Sequence, residues 1–217
     1  MDAQDSPQDN TGTAASRRGQ DQKQQPAEHA LLGLLLMAGG TAHGYDLARQ
    51  FRRDQPLGEV IRLEPAMLYK HLKKLARLGW LTVTTEDQAP RPPRQICHLT
   101  HAGETELRRW LAEPVARTRE IRLEFLVKLY FAMHLDPDLA RRLVREQRAV
   151  VMQLAKSLAE QRAALLVPAD ASPGDDPFFQ DVVLDLRLRQ TRAAANWLQH
   201  AEATLQSTDH METSVTC

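Results

Sequence analysis

The chain has 217 residues, with 28 basic and 28 acidic side chains that leave no formal net charge. This length holds one substantial core, or a small core with a helical appendage, and excludes large multidomain machinery. The balance of charge excludes a uniformly cationic coat, so any nucleic-acid contact must come from a local basic face.

Residues 1–25 contain almost no large apolar side chains and are expected to form a disordered tail. At Pro26 the pattern changes. Pro26 suits the first turn of a helix, Ala30, Leu31, Leu34, Leu35 and Ala38 fall at helical spacing, and Gly39-Gly40 closes the segment. The apolar run Ala30 to Ala38 is about half of what spanning a bilayer requires, so no membrane partner is expected. Arg17 and Arg18 precede it as in a signal peptide, but the long Gln- and Asp-rich lead and Gly33 within the run speak against secretion.

A second short helix is expected from His43 to about Arg53, with Tyr45, Leu47, Ala48 and Phe51 as apolar positions and Gly58 beyond its end. A third runs from Glu64-Pro65 to about Leu78, stopped by Gly79. Two strands follow, Trp80 to Thr85 and Gln95 to Leu99, around a polar, proline-rich tip from Glu86 to Arg94. Three helices and then a hairpin is the order of a winged helix-turn-helix.

Thr100 is placed to cap a helix bearing Leu107, Trp110 and Leu111 that ends at Pro114. A further apolar helix covers Arg119 to His134. Asp136-Pro137 then opens a long one with Leu139, Leu143, Val150, Leu154, Leu158 and Leu165 at three- and four-residue steps. Pro168, Pro173, Gly174 and Pro177 crowd the next loop. The last helix spans about Phe178 to Leu205, with Phe179, Val183, Leu186, Ala193, Trp197 and Ala201 on its seam. Two long helices with narrow apolar seams call for a second subunit, so a homodimer is expected. The fold class is mainly α with a small β-hairpin. Its divisions are a DNA-binding winged helix-turn-helix domain over 26–113, an antiparallel helical dimerisation domain over 114–206, and a disordered C-terminus over 207–217.

On a wheel turning about 100° per residue, Leu68, Leu72 and Leu75 of the third helix share one side. Ala66, Tyr69, Lys70, Lys73 and Arg77 lie opposite, with Lys74 at the margin, and no acidic residue stands between Pro65 and Gly79. An apolar back with a small, aromatic and basic front suits the major groove. Ala66 allows close approach, Tyr69 reaches a base edge or phosphate, and the lysines neutralise phosphates. Arg91 and Arg94, stiffened by Pro90, Pro92 and Pro93, are the wing residues expected at the minor groove or a phosphate.

Taken in order, Ala30-Leu31-Leu32-Gly33-Leu34-Leu35, His43-Gly44-Tyr45-Asp46-Leu47, Pro65-Ala66-Met67-Leu68-Tyr69 and Leu99-Thr100-His101-Ala102-Gly103 resemble the PadR family of transcriptional regulators. The resemblance covers about residues 28–205 and extends to Glu124 through Leu129 and to Gln147-Arg148, as in members with long C-terminal helices. It implies a dimeric regulator, usually a repressor, on a pseudo-palindromic double-stranded DNA operator. His43, Gly44, Tyr45 and Pro65 mark the helix-turn-helix, and Tyr69 carries over as the recognition-helix tyrosine. Met67 stands where serine is common, Arg91-Pro92-Pro93-Arg94 where Gly-Arg-Pro-Arg is usual, and Cys97 where an aromatic is frequent.

Trp110, Phe125, Tyr130 and Trp197 are the aromatics that would line a pocket for a planar effector, although core packing is the commoner use of such residues. His98 and His101, with Glu104 beyond, lack a second ligand pair, so no metal is expected. Cys97 and Cys217 are too few for a disulfide framework and too far apart for a metal finger, which fits a reducing, cytoplasmic setting. No phosphate loop, nucleophile elbow or paired-carboxylate signature is present, so no catalytic residue and no cofactor is expected and the chain is not read as an enzyme. Two rivals remain: a winged-helix protein-interaction module without specific DNA binding, and a small-molecule carrier or enzyme built on the C-terminal helices.

Overall fold

The computed structural model describes residues 26–88, 91–165 and 176–214. The expected N-terminal tail, most of the proline-rich loop after residue 165, and Cys217 lie outside them.

Helix α1 (Pro26–Met37) is the centre of the first core. Its polar start and apolar remainder are both buried, from Ala27 to Leu35. It ends where Gly39 and Gly40 take φ of +75° and +89°, a left-handed turn that a side chain resists. The chain then forms β1 (Thr41–His43), a three-residue strand outside the expected pattern, and α2 (Gly44–Arg49). A further short helix, α3 (Pro56–Val60), starts on Pro56 where the sequence pattern gave only a loop.

Helix α4 (Pro65–Arg77) presents Leu68, Leu72 and Leu75 to α1, as its periodicity required. Strands β2 (Leu81–Gln88) and β3 (Arg91–Leu99) pair antiparallel, and β1 adds to the other edge of β3, giving the order β1-β3-β2. The strands reach further into the tip than expected. Pro92 and Pro93 sit in β3 beyond its pairing with β1, which spans only Ile96 to His98, so their missing amides interrupt no ladder on that side. His98 is held within the sheet, its ring nitrogens 3.2 Å from Thr41 Oγ1 and 2.9 Å from Thr84 Oγ1. Among the described residues there is no group of three or more metal-ligating side chains. Cys97 is fully buried in the core, and burial pushes its thiol above the usual range.

Thr100 caps α5 (His101–Ala112), its hydroxyl accepting from the Gly103 amide. After α5, the buried Gln147 side chain grips the connecting strand at both backbone groups of Val115, at 2.7 and 2.9 Å. Next come α6 (Thr118–Glu120), a π-helical turn (Ile121–Phe125) and α7 (Leu126–Leu135). Val127 and Phe131 of α7 enter the first core, while Ala132 and the neighbouring Phe125 enter a second one.

Asp136 opens α8 (Pro137–Leu165) by accepting from the amides of Asp138 and Leu139. Helix α9 (Pro177–Ser214) returns along it. The direction is fixed by ion pairs: Arg162 of α8 holds Asp181 and Asp185 near the start of α9, and Arg148 holds Glu202 further along at 2.9 Å. Asp181 and Asp185 thus join the two helices. α9 runs to Ser214, so the segment from 207, expected to be disordered, is helical over the part described. Among the described residues no helix is long and apolar enough to cross a membrane.

Candidate nucleic-acid interface

The face of α4 away from α1 holds the residues expected there: Ala66, Tyr69, Lys70, Lys73 and Arg77 are exposed while Leu68, Leu72 and Leu75 are buried. Pro65 occupies the first turn, so the amide it lacks would have had no partner inside the helix. Across from this face the hairpin contributes Val83 and Gln95, and helix and hairpin together border a groove of about 520 Å³ that Tyr69, Lys70, Lys73 and Arg77 also line. A basic helix face beside a β-hairpin is the surface by which winged helices meet duplex DNA.

Tyr69 is positioned from behind by the second helix. A Cβ at Gly44 would stand 3.2 Å from its ring and 3.4 Å from its hydroxyl, so glycine at the start of α2 makes room for the tyrosine. Tyr45, next to it, is exposed, and His43 is the residue before α2.

Lys74 departs from the expected role. Its ammonium contacts both oxygens of Glu28 on α1, at 2.8 and 2.9 Å, and that carboxylate also lies 3.0 Å from Nδ1 of His71 on α4. Glu28 and His71 are both buried. The lysine therefore anchors the recognition helix to α1. Sequence alone hid this contact, because 46 residues separate the two partners and nothing in the local pattern pairs them.

At the wing, Arg94 is exposed on β3 opposite Glu86. Arg91 pairs through its backbone with Gln88, and its side chain lies outside the described residues.

The four aromatics expected to line one effector pocket are dispersed within the subunit. Trp110 is stacked on His29, centroids 4.3 Å apart and planes within 4°, and lies 4.8 Å from the Lys128 ammonium. Phe125 is fully buried and meets Trp197 edge-on at 6.1 Å. Tyr130 packs against Phe131 and lines a separate hollow of about 210 Å³ with Leu34, Met37 and Asp46. Trp197 opens on a larger cavity, of about 570 Å³, with Ile121, Leu126 and Arg119. The residues are dispersed because their helices belong to two cores that share α7.

His29 next to Glu28 is also buried, and desolvation holds its imidazole below the usual pKa despite Glu106 at 3.2 Å. A neutral ring donating from Nε2 to Glu106 agrees with Nδ1 having no partner, since an unpaired acceptor is less costly there than an unpaired N–H. Consecutive residues of α1 thus tie it to α4 on one side and to α5 on the other.

Residues 31–109 match the family model of the transcriptional regulator PadR-like family, and residues 121–206 match that of the virulence activator alpha C-terminal domain. The chain thus carries a PadR-like transcriptional regulator domain over residues 31–109. It is 28% identical to the negative transcriptional regulator PadR of Bacillus subtilis over 175 residues, 79% of this chain and 93% of that one. A probable transcriptional regulator of Mycobacterium tuberculosis is 29% identical over 82% of this chain and 96% of its own length. Among solved structures, Bacillus subtilis PadR in complex with operator DNA is similar at a TM-score of 0.41 and 26% identity, over 84% of this chain and 99% of that one. The same protein in complex with p-coumaric acid is similar at a TM-score of 0.37. The first match covers the winged helix-turn-helix and the second covers α8 and most of α9, with α7 shared between the two cores.

Proposed function

We propose that the chain is a cytoplasmic, ligand-responsive repressor that acts as a homodimer, seating α4 in the major groove of each half of a pseudo-palindromic operator. The observation that carries this reading is the division of α4 into a buried leucine side and an exposed side bearing Ala66, Tyr69, Lys70, Lys73 and Arg77, set beside the hairpin with Arg94. Tyr69 and Ala66 would face base edges, Lys70, Lys73 and Arg77 phosphates, and Arg91 and Arg94 the neighbouring minor groove. Repression follows from occupancy of the operator, as the name of the Bacillus subtilis relative suggests. A relative crystallised with p-coumaric acid supports control by a small ligand. No catalytic step is assigned.

Exposed apolar side chains support dimerisation through α8 and α9. Phe178, Phe179, Val182 and Leu186 are exposed near the start of α9, and Met152 is exposed on α8. Apolar side chains in such a row are more stable against a second copy than in water.

Selection of random duplexes on the full-length protein tests the reading. Enrichment of an inverted repeat with half-sites about one helical turn apart, lost in Tyr69→Ala, is expected. Recovery of no common sequence would favour the protein-interaction module.

A further inference from the structure

Away from the DNA-reading face, the segment after α5 and the two long helices enclose a second basic concavity. Arg117, Thr118 and Arg119 form one wall, Arg187, Gln190 and Thr191 of α9 the other, and Leu154 and Leu158 of α8 the floor, around about 430 Å³. That volume lies within the range of roughly 300–1,000 Å³ typical of small-molecule sites. Among the described residues no carboxylate lines it. Glu120, next to Arg119 in sequence, accepts from the Arg117 backbone amide at 3.1 Å. Asp181 and Asp185 on α9 are held by Arg162, and Asp185 also by Arg189. Thr191 is buried and its hydroxyl is engaged with Thr118 and the Arg187 carbonyl, so the wall is tied together across α6 and α9.

We propose that this pocket is a binding site for a small phosphorylated ligand, with Arg117, Arg119 and Arg187 neutralising its phosphates and Leu154 and Leu158 lying under its body. Three arginines line this one hollow, and an anion of more than one charge between them would offset their mutual repulsion. The planar fork of arginine matches phosphate oxygens in pairs. Gln190 supplies a hydrogen-bonding side chain at the rim. An occupant would bridge the segment leaving the DNA-binding unit to the helices of the second core.

The test is calorimetric titration of the full-length protein with pyrophosphate and with ADP, using adenosine as the uncharged counterpart, at constant ionic strength. Binding of both anions but not adenosine, weakened at least tenfold in Arg119→Gln and in Arg187→Gln, is expected. Lys70→Ala/Lys73→Ala, which alters the other phosphate-binding face, should leave that affinity unchanged. No binding to the wild-type protein would overturn the proposal. So would binding that survives the arginine variants but disappears with the two lysines. If the arginine variants instead shift the oligomeric state in sedimentation while anion binding is absent, the arginines serve a partner subunit and the proposal also fails.

Discussion

The ammonium of Lys74 lies 2.8 Å from a carboxylate oxygen of Glu28, a residue only 1% exposed at the start of α1. One lysine of α4 is thereby paired with a buried carboxylate and fixes the helix to the core. Each phosphate neutralised on duplex DNA contributes about 0.9 to the slope of log affinity against log salt. Lys74→Met should therefore leave the slope unchanged, while Lys73→Met lowers it by about one. Anisotropy titrations over a range of salt concentrations distinguish them; equal losses would place Lys74 on the phosphate backbone after all.

Removing the carboxylate is expected to act on stability. In Glu28→Gln, Lys74 and His71 lose a charged acceptor inside the fold, at a cost of about 2 kcal/mol for charge-assisted hydrogen bonds. The urea midpoint should fall accordingly, with an unchanged m-value. An unaltered midpoint would mean that the pair contributes nothing net.

Gly44 and Tyr69 offer a more local test. A methyl group at position 44 would press on the ring at 3.2 Å, a distance that a few tenths of an ångström of movement relieves. Gly44→Ala should therefore lower operator affinity several-fold, about 1 kcal/mol, with little change in melting temperature. Loss of folding instead would show that the glycine serves the core and not the tyrosine.

Acid should destabilise the fold in two stages. Burial lowers the pKa of His29 below the usual imidazole value of about 6.5, so the unfolded chain takes up a proton that the folded one refuses. Stability from this group is complete above about pH 6.5 and falls as the pH drops toward the folded pKa. Glu106 is also lowered in the fold, despite burial, by its bonds to Arg109 and His29, and its contribution is lost below about pH 4.5. Urea midpoints from pH 8 to 5 should decline for the wild type and flatten for His29→Phe. A wild-type midpoint independent of pH over this range would refute the neutral, buried His29.

The apolar row at the start of α9 should govern assembly. Val182→Asp/Leu186→Asp places two charges among side chains now 47% and 56% exposed, so the isolated subunit has no reason to unfold while a dimer has. Sedimentation should show a folded monomer with weakened operator binding. A dimer that persists would locate the contact elsewhere.

Most of the winged helix could be read from the chain because its elements are punctuated locally. Pro26 and Pro65 open helices, Gly39-Gly40 and Gly79 close them, and the leucine spacing of α4 separates its faces without knowledge of any neighbour. What escaped depends on distant partners. Strand β1 has three residues and exists through its ladder with β3, some 55 residues away. Glu28 and His29 are polar residues at the head of an apolar run, and only the packed fold shows that they meet Lys74 and Glu106. The four aromatics were grouped by type, whereas their helices distribute them between two cores.

The central claim is most directly tested by anisotropy of the full-length protein with the DNA immediately upstream of its own gene, in excess scrambled competitor and at two salt concentrations. Competitor-resistant, salt-sensitive binding that saturates at one dimer per site and is lost in Lys70→Ala/Lys73→Ala is expected. Wild-type binding equal to that of the double variant, or erased by competitor on this DNA and on duplexes recovered by selection, would contradict it.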